Sequence, residues 1–515
     1  MKLKRFMHFT GLILALISPT FANAQEDNIR LIINDPTIPK APSNDCKAKI
    51  CTSLLKLFNE AESSIDFAFY GMRNQSALLN ALKRAKDRGV VIRGIVDMGI
   101  DNTSYYSSTP DLLAAIPGIQ TDYETDKATQ RNQKPYNARY GRCQSPPGFL
   151  GPAQCLGYDL GNQCLLSVHA SREALNFQGE IMHHKFAVVD GRYVWTGSTN
   201  MSDSGTGGYN ANLVLVVDST KIAERFVSEM DQMYMEKKFH RSKQRKYPKT
   251  HFKLSDGNKV DVRFTPQDQP IKHGIRPLIQ KAKKSIDVAV FFLTHKHLTD
   301  DLIQAHRRGV KVRIIMDATG AKNGYTKQEI LRAAGIPVKV ESWGGKMHMK
   351  SAVIDDQILI GGSMNWTSAG DRTNDENTLI IWNRRLNKEY RKTFQKLWDS
   401  IPDKWLEGRP DPESRNSGSA CFDKVDNDFD HKADKEDAGC SDSPPPLPAL
   451  PPYLLVPKEE GHGLIKGIVA EDGRRLFYSP NNRHYSSKSV NTAGGDVWLC
   501  SESQAWDTGF KPARN

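Results

Sequence analysis

Residues 181–200 read Ile-Met-His-His-Lys-Phe-Ala-Val-Val-Asp-Gly-Arg-Tyr-Val-Trp-Thr-Gly-Ser-Thr-Asn. A histidine, a lysine two positions on and an aspartate five beyond it give His183, Lys185 and Asp190, followed by Gly197, Ser198 and Asn200. The same spacing returns at His348, Lys350, Asp355, Gly362, Ser363 and Asn365. Composition does not produce a spacing of this length twice, so the chain is internally duplicated.

The spacing has a physical reading. Phe186-Ala-Val-Val189 and Ser351-Ala-Val-Ile354 are short apolar, β-branched runs that read as buried strands. Alternate side chains share a face of a strand, so each His and Lys pair points the same way, and His184 faces oppositely, as a packing residue. Gly-Ser-x-Asn closes the next short strand, at Tyr193-Val-Trp195 and at Ile358-Leu-Ile360. Imidazole, ammonium, hydroxyl and carboxamide in one place suit a phosphate. The lysine and hydroxyl neutralise and hydrogen-bond its oxygens, and the histidine attacks phosphorus or gives a proton.

Both strings resemble the HxKxxxxD signature of the phospholipase D superfamily with its trailing GSxN. The resemblance implies an α/β fold of two sandwich halves forming a pseudo-dimer around a shared cleft. It implies His183, Lys185, Asp190, His348, Lys350 and Asp355 as catalytic, with Ser198, Asn200, Ser363 and Asn365 supporting the phosphate. One histidine then forms a phosphohistidine while the other protonates the leaving oxygen.

Repetition extends beyond the motifs. Ser64-Ile-Asp-Phe-Ala-Phe-Tyr70 corresponds to Ser285-Ile-Asp-Val-Ala-Val-Phe291. Leu78, Leu82 and Ala85 correspond to Leu298, Leu302 and Ala305 at core-facing helical spacing, and Gly89 and Gly309 to helix stops. Strand, helix and strand in this rhythm predict parallel α/β units. The halves are expected at 25–235 and 255–405, each lending one motif to the cleft. The first carries an insertion at about 98–180 with Tyr105, Tyr106, Tyr136, Tyr140, Arg142 and three cysteines. Such a loop shapes an entrance, by stacking on bases or simply by packing on itself.

After GSxN the halves differ. Asn374-Asp-Glu-Asn377 aligns with Asn210-Ala-Asn212, which sets Ala211 opposite Glu376. In the family a carboxylate here orients a catalytic histidine, so the two histidines are not equivalent. The sequence leaves open whether Glu376 serves His348 or reaches across to His183. The resemblance implies His183 as nucleophile and His348 as acid.

The remaining segments set the context. Lys2, Lys4 and Arg5, the apolar run Gly11–Ile17 and Ala22-Asn-Ala24 read as a signal peptide over 1–24, and so as a secreted or periplasmic protein. In that setting the cysteines are expected as disulfides, with Cys46/Cys51 and Cys421/Cys440 as local pairs and the partners of Cys143, Cys155, Cys164 and Cys500 open. The formal charge of +12 is concentrated in the catalytic body, which suits a polyanionic substrate or surface. The linker at 236–254 is strongly basic and either tracks a nucleic-acid backbone or is simply solvated. An acidic and Pro-rich stretch at 406–460 places Asp426, Asp428, Asp430, Asp434 and Asp437 in a loop resembling EF-hand-like calcium repeats, with His431 where glycine is usual. A structural calcium ion or an acidic linker are the two readings. The segment 461–515 resembles a tail found on exported nucleases.

The expected function is a phosphodiesterase needing no catalytic cofactor, because lysines and histidines supply the charge. Nucleic acid is the favoured substrate and a phospholipid membrane surface the alternative. No obligatory protein partner is expected, the chain acting as a monomeric internal pseudo-dimer.

Overall fold

The computed structural model describes residues 28–97, 106–122, 180–322, 325–428 and 432–441, the strands 153–158 and 164–168, and shorter stretches between 465 and 513. The first half is built on β1 (Asn28–Ile33), β2 (Ser64–Phe69), β3 (Val91–Val96), β4 (Ile119–Thr121), β5 (Lys185–Val189), β6 (Tyr193–Gly197) and β7 (Leu213–Asp218). Their order across the sheet is β1-β7-β6-β5-β2-β3-β4. The second half repeats it with β8 (His251–Lys253), β9 (Lys259–Phe264), β10 (Ser285–Val290), β11 (Lys311–Met316), β12 (Val338–Val340), β13 (Lys350–Ile354), β14 (Ile358–Gly362) and β15 (Asn377–Trp382). Here the order is β8-β9-β15-β14-β13-β10-β11-β12.

The parallel units expected from the repeats are present as β2-β3-β4 and β10-β11-β12. The motif strands run against them: β5 is antiparallel to β2, and β13 to β10. Each sheet is therefore mixed. A hairpin turn joins β5 to β6, so the motif strand returns beside itself instead of crossing over. The second sheet also begins earlier than expected, since β8 lies inside the predicted linker and pairs with β9.

Strand β5 is buried along its whole length because both faces of its sheet are covered. Ala187 and Val189 face an outer core beneath α1 (Lys49–Glu60) and α2 (Ser76–Asp87). Phe186 and Val188 face a central core that the halves share with Phe264, Val353, Leu359 and Leu379 of the second sheet. Helices α3 (Thr220–Tyr234) and α5 (Arg384–Ser400) pack into that shared core, while α4 (Lys296–Arg307) covers the far face of the second sheet. One apolar core thus fixes the two sheets face to face and sets the distance between the motifs.

A small four-stranded sheet with its own core lies between Ile465 and Pro512. Cys46–Cys51 and Cys421–Cys440 are disulfide-bonded. Cys143 and Cys500 and most of the insertion, with Tyr105, Tyr136, Tyr140 and Arg142, lie outside the described residues, as do the side chains of Cys155 and Cys164. Among the described residues no helix is long and apolar enough to cross a membrane.

Candidate active site

His183 and His348 stand just before β5 and β13, where the two halves exchange main-chain bonds. The His183 N–H donates to the Asp375 carbonyl at 3.0 Å, and the Asp375 N–H to Ile181 at 2.9 Å. The same exchange runs the other way: the His348 N–H donates to Ala211 at 2.9 Å, and the Ala211 N–H to Lys346 at 2.8 Å. Each motif histidine is therefore held by the segment after GSxN of the opposite half. Asp97, at the end of β3, fixes the first segment further by accepting the Met182 N–H at 2.8 Å.

The residue after each exchange meets the imidazole. Glu376 Oε1 lies 2.8 Å from His183 Nδ1, and Asn212 Oδ1 lies 3.1 Å from His348 Nδ1. Glu376 reaches across. Its counterpart is Asn212 and not Ala211, because Ala211 and Asp375 make the equivalent bridges. The alignment expected from sequence was one residue off. It had no local signal to fix it, since the register is set by pairing with the other half.

Both lysines are buried, and each donates to its histidine's carbonyl, Lys185 at 2.9 Å and Lys350 at 2.7 Å. Their ammonium groups sit over Tyr70 and Phe291, at 5.4 Å and 5.0 Å from the ring centroids. The same rings pack on His183 and His348 at 5.2 Å and 5.1 Å. Tyr106 from the insertion packs edge-on against Tyr70. Sequence comparison of the halves aligned Tyr70 with Phe291 but gave them no role.

Burial dominates the electrostatics. It pushes Lys185 down to about 7 and Lys350 well below the usual lysine range. It also holds both histidines well below their ordinary values, with the lysines adding to the effect. Glu376 is pushed up to about 8 by burial, against the pull of Lys185. Two cations in so little water favour an anion between them.

The supporting residues divide. Ser198 Oγ donates to Asn212 Oδ1 at 2.8 Å and accepts the Leu213 N–H at 3.0 Å, while Ser363 Oγ accepts the Asn377 N–H at 2.9 Å. These hydroxyls position the histidines' partners; they were expected to bind phosphate themselves. Among the described residues, the carboxamide oxygens of Asn200 and Asn365 are buried without a hydrogen-bond partner.

Asp190 and Asp355, expected among the catalytic residues, lie at the far ends of β5 and β13, roughly 16 Å along the strand from the lysines. Asp190 accepts the N–H groups of Glu62, Ser63 and Ser64, and Asp355 those of Lys283, Lys284 and Ser285. Both have positive φ, 53° and 51°, at the hairpin turn, a conformation aspartate tolerates. They tie the turn to the start of the neighbouring strand.

The calcium loop also differs from expectation. Asp434 is turned to the N–H groups of Asp423 and Lys424. Asp428 and Asp437 converge instead with Glu413, which the sequence reading left out, their oxygens all within 4.8 Å of one another. Asp426 is partly buried outside that group, and Asp430 and His431 lie outside the described residues. This module borders the site. Tyr209 donates to the Asp423 carboxylate, and Lys346 Nζ to the Asn427 carbonyl at 2.9 Å.

In the basic linker several cations are paired. Lys238 and Lys246 meet Glu236, Arg241 meets Glu180 and Arg245 meets Asp268. His240 and Lys243 are buried.

Two motif histidines, two lysines and exchanged partners on a duplicated fold agree with the sequence comparisons. The model of the PLD-like domain of cardiolipin synthase matches residues 157–234 and 275–398. Over 142 residues the chain is 36% identical to a phospholipase D of Rickettsia conorii, covering 27% of this chain and 70% of that protein. The chain belongs to the phospholipase D superfamily. Over 118 residues it is 35% identical to a mitochondrial cardiolipin hydrolase of Chlamydomonas reinhardtii, covering 23% of this chain and about half, 53%, of the relative. A solved phospholipase D family member, Nuc from Salmonella typhimurium, is 26% identical with a TM-score of 0.25, covering 28% of this chain and 97% of that one. The paired motifs of that superfamily are brought together here by both halves of one chain.

Proposed function

We propose that this protein is an exported phosphodiesterase that cleaves nucleic acid through a phosphohistidine on His183. The observation that carries the reading is the unequal pair of partners. A carboxylate on Nδ1 of His183 holds the proton there, leaves Nε2 free to attack and stabilises the cation that forms. The amide on Nδ1 of His348 suits a group that gives and takes one proton.

In the first step His183 Nε2 bonds to phosphorus while the P–O bond to the leaving group breaks, the leaving oxygen taking a proton from His348. In the second, water attacks phosphorus, gives its proton to His348 and releases His183. Lys185 and Lys350 neutralise the non-bridging oxygens throughout. The overall positive charge supports nucleic acid as the polyanion. The relatives named as phospholipase D and cardiolipin hydrolase favour a second reading, phospholipid head-group hydrolysis.

The test is a paired assay in EDTA on plasmid DNA and on phosphatidylcholine or cardiolipin vesicles, with His348→Ala as control. DNA nicking absent from the mutant supports the nuclease. Lipid hydrolysis alone moves the protein to the second reading. Full activity in His183→Ala or His348→Ala overturns the mechanism.

A further inference from the structure

Beneath His183 lies a closed ring of buried charges that the chemistry above does not use. Asp375 carries the carbonyl that fixes the His183 main chain, and it immediately precedes Glu376. Its carboxylate is fully buried. It accepts the His240 N–H at 2.8 Å, lies 2.7 Å from Lys243 Nζ and 3.0 Å from His240 Nδ1. Lys243 also donates to Glu229 on α3. Glu229 in turn meets His184 Nε2 at 3.2 Å and Gln267 Nε2 at 2.6 Å. His184 adjoins His183, so the ring closes on the catalytic segment. Asp122 Oδ2 lies 3.4 Å from His240 Nε2 and ties in the end of β4.

We propose that the segment joining the halves is a positioning element for His183, with Lys243 and His240 fixing Asp375 and through it the Glu376–His183 pair. Three observations support this. The ring draws on the linker, on α3 and on the segment after GSxN of the second half, so it locks the cross-half exchange that delivers Glu376. The equivalent place on the His348 side is Ala211, which has no carboxylate to hold. Finally, Asp375 stays below and Lys243 above its ordinary value although burial opposes both, because Lys243 and Asp375 charge each other. Buried ion networks add little stability over apolar packing of the same volume. This one ties the linker and α3 to the segment that delivers Glu376, and is accounted for by geometry at His183. The linker's buried cations then serve the catalytic pair and not a nucleic-acid backbone.

The proposal rests on His183 as nucleophile, and the experiment separates the two. Full-length wild type, Lys243→Met, His240→Gln and Asp375→Asn are compared on bis(p-nitrophenyl) phosphate, whose leaving group needs no acid. The histidine ring resonances are followed in ¹⁵N-labelled protein. Lys243→Met is expected to lower kcat about 10- to 100-fold with KM changed less than about threefold, and to move the His183 Nδ1 resonance while leaving that of His348 in place. His240→Gln should do the same more weakly, and it carries the test if Lys243→Met does not fold. Folded variants with unchanged kcat and an unmoved His183 resonance overturn the proposal, as does equal disturbance of both histidines. A wild type that does not turn over the diester removes the proposed function, while the resonances still decide whether the linker positions His183.

Discussion

Glu376 Oε1 lies 2.8 Å from Nδ1 of His183 in the other half, while Nδ1 of His348 meets the Asn212 carboxamide oxygen at 3.1 Å. The histidines are equivalent in sequence motif and unequal in chemistry. Removing each partner should therefore leave a different kinetic signature. Glu376→Gln is expected to lower kcat about 10²-fold or more on every diester, because attack itself is impaired. Asn212→Ala should slow diesters with alkoxide leaving groups far more than those releasing p-nitrophenol. A leaving-group series in both variants checks this. Equal slopes would show that the assignment of nucleophile and acid is wrong.

The free site should be active over a narrow pH range. Attack needs the His183–Glu376 pair to have shed its extra proton, and Glu376 is pushed up to about 8. Anion binding needs Lys185 charged, and Lys185 is pushed down to about 7. Activity is thus lost as pH falls below the first value and as it rises above the second. The competent form is a minority at any pH, and the optimum of kcat/KM is expected between 7 and 8. A bound diester restores Lys185 towards its ordinary value, and charged lysines lower Glu376, so the kcat profile should be the broader of the two. Rate profiles across pH 5–10 on bis(p-nitrophenyl) phosphate, whose leaving group needs no proton from His348, decide it; coincident kcat and kcat/KM limbs would contradict this account.

Asp190 and Asp355 should behave as structural residues. Asp190 is held below the usual carboxylate range even though burial alone would raise it, because the N–H groups of Ser63, Ser64 and Glu62 bind it. Asp190→Asn and Asp355→Asn are each expected to cost about 1–3 kcal/mol of stability through a weakened turn. Turnover per folded molecule should stay within about threefold of wild type. Thermal melts and kcat on the folded fraction test this, and a large loss of kcat without a loss of Tm would return the aspartates to the catalytic set.

How much of this was visible in the chain follows from what is local. His183 and Lys185 share a strand face by alternation alone, and the duplicated run to Asn200 and Asn365 locates both strands and the cleft. The exchange of Asp375 and Ala211 between halves is a long-range register, which no local pattern encodes. Hence Asn212 was passed over in favour of its neighbour. Lys243 sits in a run of cations that reads either as tracking a nucleic-acid backbone or as solvated, and its burial is decided by Asp375, far along the chain. Asp190 and Asp355 belong to the motif by spacing, yet a strand's length separates them from the lysines. Glu413 precedes the acidic loop it joins, so a pattern search within the loop misses it.

The disulfide-tied module at 413–440 should affect stability without entering the reaction. Glu413, Asp428 and Asp437 converge, and burial pushes Glu413 up to about 8. A calcium ion bound there would compete with that proton, so the Tm gained on adding calcium should grow as pH rises from 6 to 8. Glu413→Gln should abolish the gain. Lysines and histidines carry the phosphate chemistry, so EDTA should leave kcat unchanged. Opening Cys421–Cys440 by Cys421→Ser should act differently. It loosens the contacts of Asp423 with Tyr209 and of Asn427 with Lys346, two residues before His348. A several-fold loss of kcat is expected from that variant with or without calcium. Melting curves and diester turnover, each with calcium and with EDTA, separate these effects. Loss of turnover in EDTA in the wild type would place a metal in the reaction and overturn the division argued here.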